Sequence, residues 1–137
     1  MSPTSPPTLV SDVMTSKVQT AGPSDELHDI WRMLEDRQCH HIPIVESGRP
    51  IGMVSTRDLI RVARKHGAAK LSTGLYGSER ARDIMSTDLE TVGVDESVEV
   101  AIERIGRGDI HALVVLGADE GLAGIVTNHD LLHYLLS

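Results

Sequence analysis

The phrase Asp12-Val13-Met14-Thr15 returns as Asp83-Ile84-Met85-Ser86, 71 residues later. Each copy then runs through a Thr (Thr20, Thr91), a Gly (Gly22, Gly93), an apolar helical stretch and a His (His40, His111). Each closes on Gly-apolar-Val-(Ser/Thr)-x-x-Asp-Leu, at Gly52–Leu59 and Gly124–Leu131. The offset has grown to 72 at the close, because the second copy carries one extra residue between its two predicted strands. Self-similarity in a fixed order is the mark of a duplicated supersecondary unit. A unit of roughly 55 residues is marginal alone, so the two copies are expected to pack face to face as one module.

Hydrophobic spacing fills in each copy. Leu27, Ile30, Trp31 and Leu34 recur at helical intervals within 24–38, with Ser24 as the expected N-cap. Val98, Ala101, Ile102 and Ile105 do the same within 95–107, with Asp95 as cap and Gly106 and Gly108 ending the helix. Two short apolar runs follow in each copy, 42–45 and 50–55, then 112–116 and 122–127. Polar or Gly-rich joints between them read as hairpin turns. A closing helix covers 56–65 in the first copy and 128–136 in the second. With a short strand near Thr20 or Thr91, the fold class is α+β: a β-α-β-β-α unit used twice and packed as one pseudo-two-fold module. The expected division is a disordered tail at 1–8, a first unit at 9–65, a linker at 66–79 and a second unit at 80–137.

Composition excludes several functions. A net charge of −7 gives no bulk attraction to nucleic acid or to an anionic membrane surface. No apolar run approaches the roughly 18 residues of a membrane span, and the Pro- and Ser-rich start lacks the pattern of a secretory signal. The single Cys39 forbids an internal disulfide and suits a reducing, cytoplasmic setting. His129 and His133 are spaced i, i+4, but no zincin Glu follows and no third ligand is evident, so no metal is expected. No Gly-rich phosphate loop or catalytic triad is present, and no catalytic residue is assigned.

The closing motif carries the chemistry. Ser55 and Thr127 stand at a strand-to-helix junction, where a hydroxyl, free N–H groups and the helix dipole favour an anion. Asp58 and Asp130, three residues on, lie on the same helix side, where a carboxylate can accept from ribose hydroxyls. The competing reading is that Ser/Thr-x-x-Asp is a capping box, worth about 0.5–2 kcal/mol as structure. The two roles are compatible. Arg57, Arg61 and Arg64 share a helical face, with Lys65 and Lys70 nearby. That face is either solvated or a collar for a polyphosphate, to which Arg is well shaped. Arg57 is matched by His129 in the second copy, and a histidine ordinarily contributes charge only below about pH 6.5. The Ser55/Arg57/Asp58 cleft is therefore the better expected polyphosphate site.

Together the Asp-apolar-Met-Thr/Ser openings, His41-Ile42-Pro43-Ile44-Val45 and the two closing motifs resemble a tandem pair of cystathionine-β-synthase (CBS) domains, a Bateman module. The resemblance covers roughly residues 9–137. It implies adenosine-type ligands in clefts between two interlocked units, and assembly as a homodimer. It also implies that Thr20 and Thr91 meet the adenine edge, and that Ile42, Pro43, Ala112 and Leu113 wall the base. As plain strand residues these four read first as core, and a core residue can also serve as a wall. Val114 in place of Pro43, and Ala112-Leu113 in place of His41-Ile42, imply two unequal clefts.

The expected function is a regulatory module, not an enzyme. It would bind AMP, ADP, ATP, NAD(H), S-adenosylmethionine or a related adenosyl effector, require no cofactor, and signal to a partner protein. The alternative is a structural or dimerisation module with vestigial clefts.

Overall fold

The computed structural model describes residues 6–37, 39–67 and 79–137. Most of the expected linker, including Lys70, and the first five residues of the expected tail lie outside the described residues. The elements are α1 (Val10–Val13), α2 (Leu27–Arg37), β1 (His41–Glu46), β2 (Arg49–Ser55), α3 (Thr56–His66), α4 (Ala81–Ile84), β3 (Thr91–Gly93), α5 (Val98–Gly106), β4 (Ala112–Leu116), β5 (Leu122–Thr127) and α6 (Asn128–Leu136). The fold is mixed α and β, as the periodicities predict.

The chain forms two compact units whose boundaries differ from those of the repeats. One unit is Val18–Leu89; the other joins Met1–Lys17 to Glu90–Ser137. Each opening phrase therefore packs with the copy it does not precede. Local bonding explains the exchange. The Val10 N–H donates to Glu96 O at 2.8 Å, and Thr15 and Ile125 exchange two backbone bonds of 2.9 and 3.0 Å. In the other unit Ala81 N–H donates to Asp25 O at 2.9 Å, and Met53 and Ser86 exchange two bonds of 2.9 Å. Val10 and Ala81 are fully buried, so each phrase also adds a core residue.

The repeated Asp of the phrase has a local task. Asp12 Oδ2 accepts the Leu9 N–H at 2.9 Å, and Asp83 Oδ2 accepts the Arg80 N–H at 2.7 Å. Each thereby satisfies a donor left open where a short helical turn begins. The Met of the phrase lies over a Gly of the closing motif. An added Cβ at Gly52 would stand 2.4 Å from Met85 Sδ, and one at Gly124 only 2.6 Å from Thr15 O.

In the Val18–Leu89 unit β1 pairs antiparallel with β2, from His41↔Ser55 to Glu46↔Arg49. Their turn holds Ser47 and Gly48 at φ 53° and 81°, the left-handed pair that a tight two-residue hairpin requires. The expected strand near Thr20 is reduced to one parallel bridge, Ala21↔Ile44. In the second copy β3 is a true strand, parallel to β4, which pairs antiparallel with β5. The difference traces to Pro23. Its counterpart Val94 extends the ladder by donating to Leu116 O at 3.0 Å, whereas proline has no N–H to give.

The helix starts also shift. Asp25 folds back onto the Gly22 N–H at 2.8 Å, and Glu96 onto the Gly93 N–H at 2.6 Å, closing a turn before each helix. Helix α2 consequently begins at Leu27, and Ser24, the expected cap, instead accepts from Arg82 Nη1 at 3.1 Å. In α5 the cap is Ser97, whose Oγ accepts the Glu99 N–H at 3.2 Å, and not Asp95. One core gathers Leu27, Ile30, Leu34, Ile42, Ile44, Val54 and Leu59; the other gathers Val10, Val92, Val98, Leu113, Val115, Val126 and Leu131.

Candidate functional site

Both closing motifs fold into complete capping boxes. Ser55 is the N-cap of α3: its N–H donates to Asp58 Oδ2 at 2.8 Å, its hydroxyl lies 3.1 Å from the same oxygen, and the Asp58 N–H returns to Ser55 Oγ at 3.4 Å. Thr127 and Asp130 repeat this at the start of α6, with distances of 3.0, 3.2 and 3.3 Å. The capping alternative is therefore realised in each copy. It consumes one carboxylate oxygen and leaves the second, Oδ1, to the surroundings.

That second oxygen is where the copies part. Asp58 Oδ1 is held by Arg61 Nη2 at 2.8 Å, and the Arg61 side chain is 70% exposed. An exposed pair of this kind contributes only about 0.2–1 kcal/mol and opens readily. Asp130 Oδ1 accepts instead from the Thr15 hydroxyl at 3.0 Å. Thr15 is fixed by its two backbone bonds to Ile125, so this partner is less free to leave.

The flanking groups differ as well. Arg57, Ile60, Arg61, Arg64 and Lys65 line an open hollow of about 500 Å³ along α3. Asp58, Arg61, Lys65, His66 and Asp83 border a smaller one of about 240 Å³. On α6 the exposed His129 and His133 take the positions of Arg57 and Arg61. The Asn128 side chain accepts the His129 N–H at 3.0 Å, so one donor at that helix end is already used.

Thr91 opens β3 beside a hollow of about 190 Å³ whose lining includes Asp95 and Glu96. Its carbonyl accepts from Arg104 Nη1, while Arg104 Nη2 pairs with Glu90 at 2.6 Å. This clamp escaped the sequence reading because the residue matched to Arg104 in the first copy is Met33, which carries no polar signal. Thr20 is exposed and adjoins the Ala21 bridge. Ile42 and Leu113 are fully buried members of the two cores, which makes them core residues first. Pro43 is also buried, and Ala112 is half-buried at the start of β4.

The capping geometry thus brings Ser55 together with Asp58, and Thr127 with Asp130. It sets Arg57 and His129 at the first turns of their helices.

Among the described residues no group of three or more His, Cys, Asp or Glu is placed to hold a metal ion, and no helix is long and apolar enough to cross a membrane. Half-burial pushes the Cys39 thiol above its ordinary value, partly opposed by a backbone hydrogen bond and by Arg37.

Known proteins share this architecture. The CBS-pair protein CBSX2 from Arabidopsis thaliana superposes with a TM-score of 0.82 at 24% identity, covering 96% of each chain. A structure of CBSX2 in complex with AMP gives 0.79, again at 24% identity, over 94% of this chain and 96% of that one. The CBS domain pair of protein MJ0100, in complex with 5′-methylthioadenosine and S-adenosyl-L-methionine, gives 0.79 at 21% identity over 95% and 97%. In sequence, the CBS domain-containing protein YhcV of Bacillus subtilis is 27% identical over 122 residues, 89% of this chain and 81% of its own length. A homoserine O-acetyltransferase of Methanohalobium evestigatum is 28% identical over 126 residues, 90% of this chain but 23% of its own length. The chain spans between 23% and 46% of the first three curated relatives it matches. The CBS domain family model matches residues 10–65 and 81–137, the two copies of the repeat. With both copies matched, the chain belongs to the CBS domain family.

Proposed function

We propose that this chain is a regulatory module that binds an adenosyl effector through the Ser55/Asp58 and Thr127/Asp130 motifs and passes the binding event to a partner protein. The observation that carries the reading is the state of the two aspartates. Each has one oxygen locked in a capping box and the other held by a side-chain donor. Ribose hydroxyls can replace such a donor, and the helix N-terminus beside it favours an anionic group. CBS pairs of the same fold in complex with AMP, and with methylthioadenosine and S-adenosylmethionine, support the choice of an adenosyl ligand. Regulation then requires that the ligand prefer one arrangement of the protein over another.

A thermal-shift series with AMP, ATP, NAD and S-adenosylmethionine tests the proposal. A ligand at 100 times its Kd is expected to add about 2.7 kcal/mol of stability. The gain is expected to fall in Asp58→Ala or Asp130→Ala and to vanish in the double variant. No shift with any of them at millimolar concentration sinks the sensor reading.

Self-association belongs to the same proposal. Leu132, Leu135 and Leu136 on α6 are 55%, 57% and 78% exposed. Clustered exposed apolar side chains mark an interaction surface. A homodimer covering α6 is expected to become a monomer in Leu132→Glu/Leu135→Glu, read by light scattering after gel filtration. An unchanged mass places any dimer contact elsewhere.

A further inference from the structure

Taking the adenosyl-binding reading as its basis, we infer that the two motifs sort their ligands by charge. The Ser55/Asp58 motif takes a phosphorylated, anionic adenosine nucleotide. The Thr127/Asp130 motif takes an uncharged or cationic adenosyl compound, such as a thioether or sulfonium nucleoside.

Three independent observations carry this. The first is a paired substitution at matched positions. Arg57 and Arg61 of α3 correspond, at the offset of 72, to His129 and His133 of α6. Guanidinium is permanently charged and fits phosphate oxygens in pairs, whereas an imidazole offers no such planar fork of donors. Arg64 and Lys65 extend the cationic hollow of about 500 Å³, and their counterparts are Leu136 and Ser137.

The second observation is where the charge of the chain resides. The Val18–Leu89 unit holds ten Lys/Arg and ten Asp/Glu and is neutral. The other unit holds three Lys/Arg against ten Asp/Glu, so the whole net charge of −7 falls there. Asp130 itself belongs to that acidic unit. An anionic phosphate is repelled by a net-negative unit and a sulfonium is attracted.

The third is the use already made of each helix end. Arg61 holds Asp58 only through an exposed pair, and a ribose that takes Asp58 Oδ1 releases this guanidinium to meet a phosphate of the same ligand. At Asp130 the displaced group is the neutral Thr15 hydroxyl, which brings no cation. The His129 N–H, a natural phosphate donor, is already bonded to Asn128 Oδ1.

The test is calorimetric titration at pH 8 and low salt with adenosine, AMP, ATP and S-adenosylmethionine. Asp130→Ala isolates the first motif and Asp58→Ala the second, with circular dichroism to establish that each variant is folded. In Asp130→Ala, affinity is expected to rise from adenosine to AMP to ATP. In Asp58→Ala it is expected to fall along that series, with S-adenosylmethionine binding tightest. The Arg57→His/Arg61→His variant changes only exposed side chains and leaves both aspartates in place. Losing two exposed pairs between guanidinium and ligand phosphate is expected to lower the preference for ATP over adenosine by about 2- to 30-fold. The same ligand order in both aspartate variants, or an unchanged preference in the double Arg variant, overturns the sorting while leaving the adenosyl-binding reading intact. If none of the four ligands binds the wild-type protein, the binding reading itself fails, and the sorting falls with it.

Discussion

Leu113→Ala is expected to cost about 2–5 kcal/mol of unfolding free energy, the range for removing a fully buried leucine from a packed interior. Leu113 is 0% exposed and packs with Val10, Val92, Val98, Val115, Val126 and Leu131. It lies on β4, the central strand of the three-stranded sheet, where it pairs with Val126. The surroundings are held by two ladders and cannot close readily over the cavity, so the upper half of the range applies. Urea denaturation measures the loss as a lower midpoint at constant slope. The result also separates two roles. As a base wall, Leu113 would weaken adenosyl binding with little change in stability; as a core residue, it shifts stability first. A loss below about 1 kcal/mol would contradict the packing described above.

Gly124→Ala is expected to cost about 2–4 kcal/mol, and more than Gly52→Ala. The two glycines hold the same place in the repeat, and in each copy the Met of an opening phrase lies across them. Their nearest obstacles differ in kind. A Cβ at Gly52 meets Met85 Sδ at 2.4 Å and Cγ at 2.8 Å, atoms of a flexible side chain that can take another rotamer. A Cβ at Gly124 meets the Thr15 carbonyl oxygen at 2.6 Å as well as Met14 Sδ at 2.8 Å. Backbone must then move, and the two hydrogen bonds between Thr15 and Ile125 are strained with it. Overpacking of this sort costs about 1–3 kcal/mol, and each weakened hydrogen bond adds about 0.5–1.5. The Thr15 contact to Asp130 Oδ1 rides on the same segment. Gly124→Ala is therefore also expected to alter ligand binding at Asp130, whereas Gly52→Ala leaves that motif untouched. Equal losses of stability in the two variants would show that both opening phrases yield alike.

Much of this was legible in the chain itself, for a physical reason. Duplication doubles every signal, so a weak motif such as Ser/Thr-x-x-Asp gained weight by recurring behind the same Gly-apolar-Val. The strands 112–116 and 122–127 and the helix 128–136 match the structure at both ends, because Gly117 and Gly121 bracket the turn between the two apolar runs and Thr127 caps the helix that follows. The helix starts at Ser24 and Asp95 were misplaced because Asp25 and Glu96 hydrogen-bond backward to glycines. Either acid could equally have entered the first turn, and composition does not distinguish the two.

The sequence by itself determined the duplication, which comparison of the two copies shows, and the helices, the hairpins and the paired hydroxyl and carboxylate, which depend on contacts between residues close in the chain. Only the tertiary structure decided which copy each opening phrase completes. It also decided what meets the second oxygen of each aspartate: an exposed Arg61 at Asp58, but Thr15, 115 positions away, at Asp130. Those choices rest on backbone pairing between distant segments, and such pairing leaves no local trace in the order of residues.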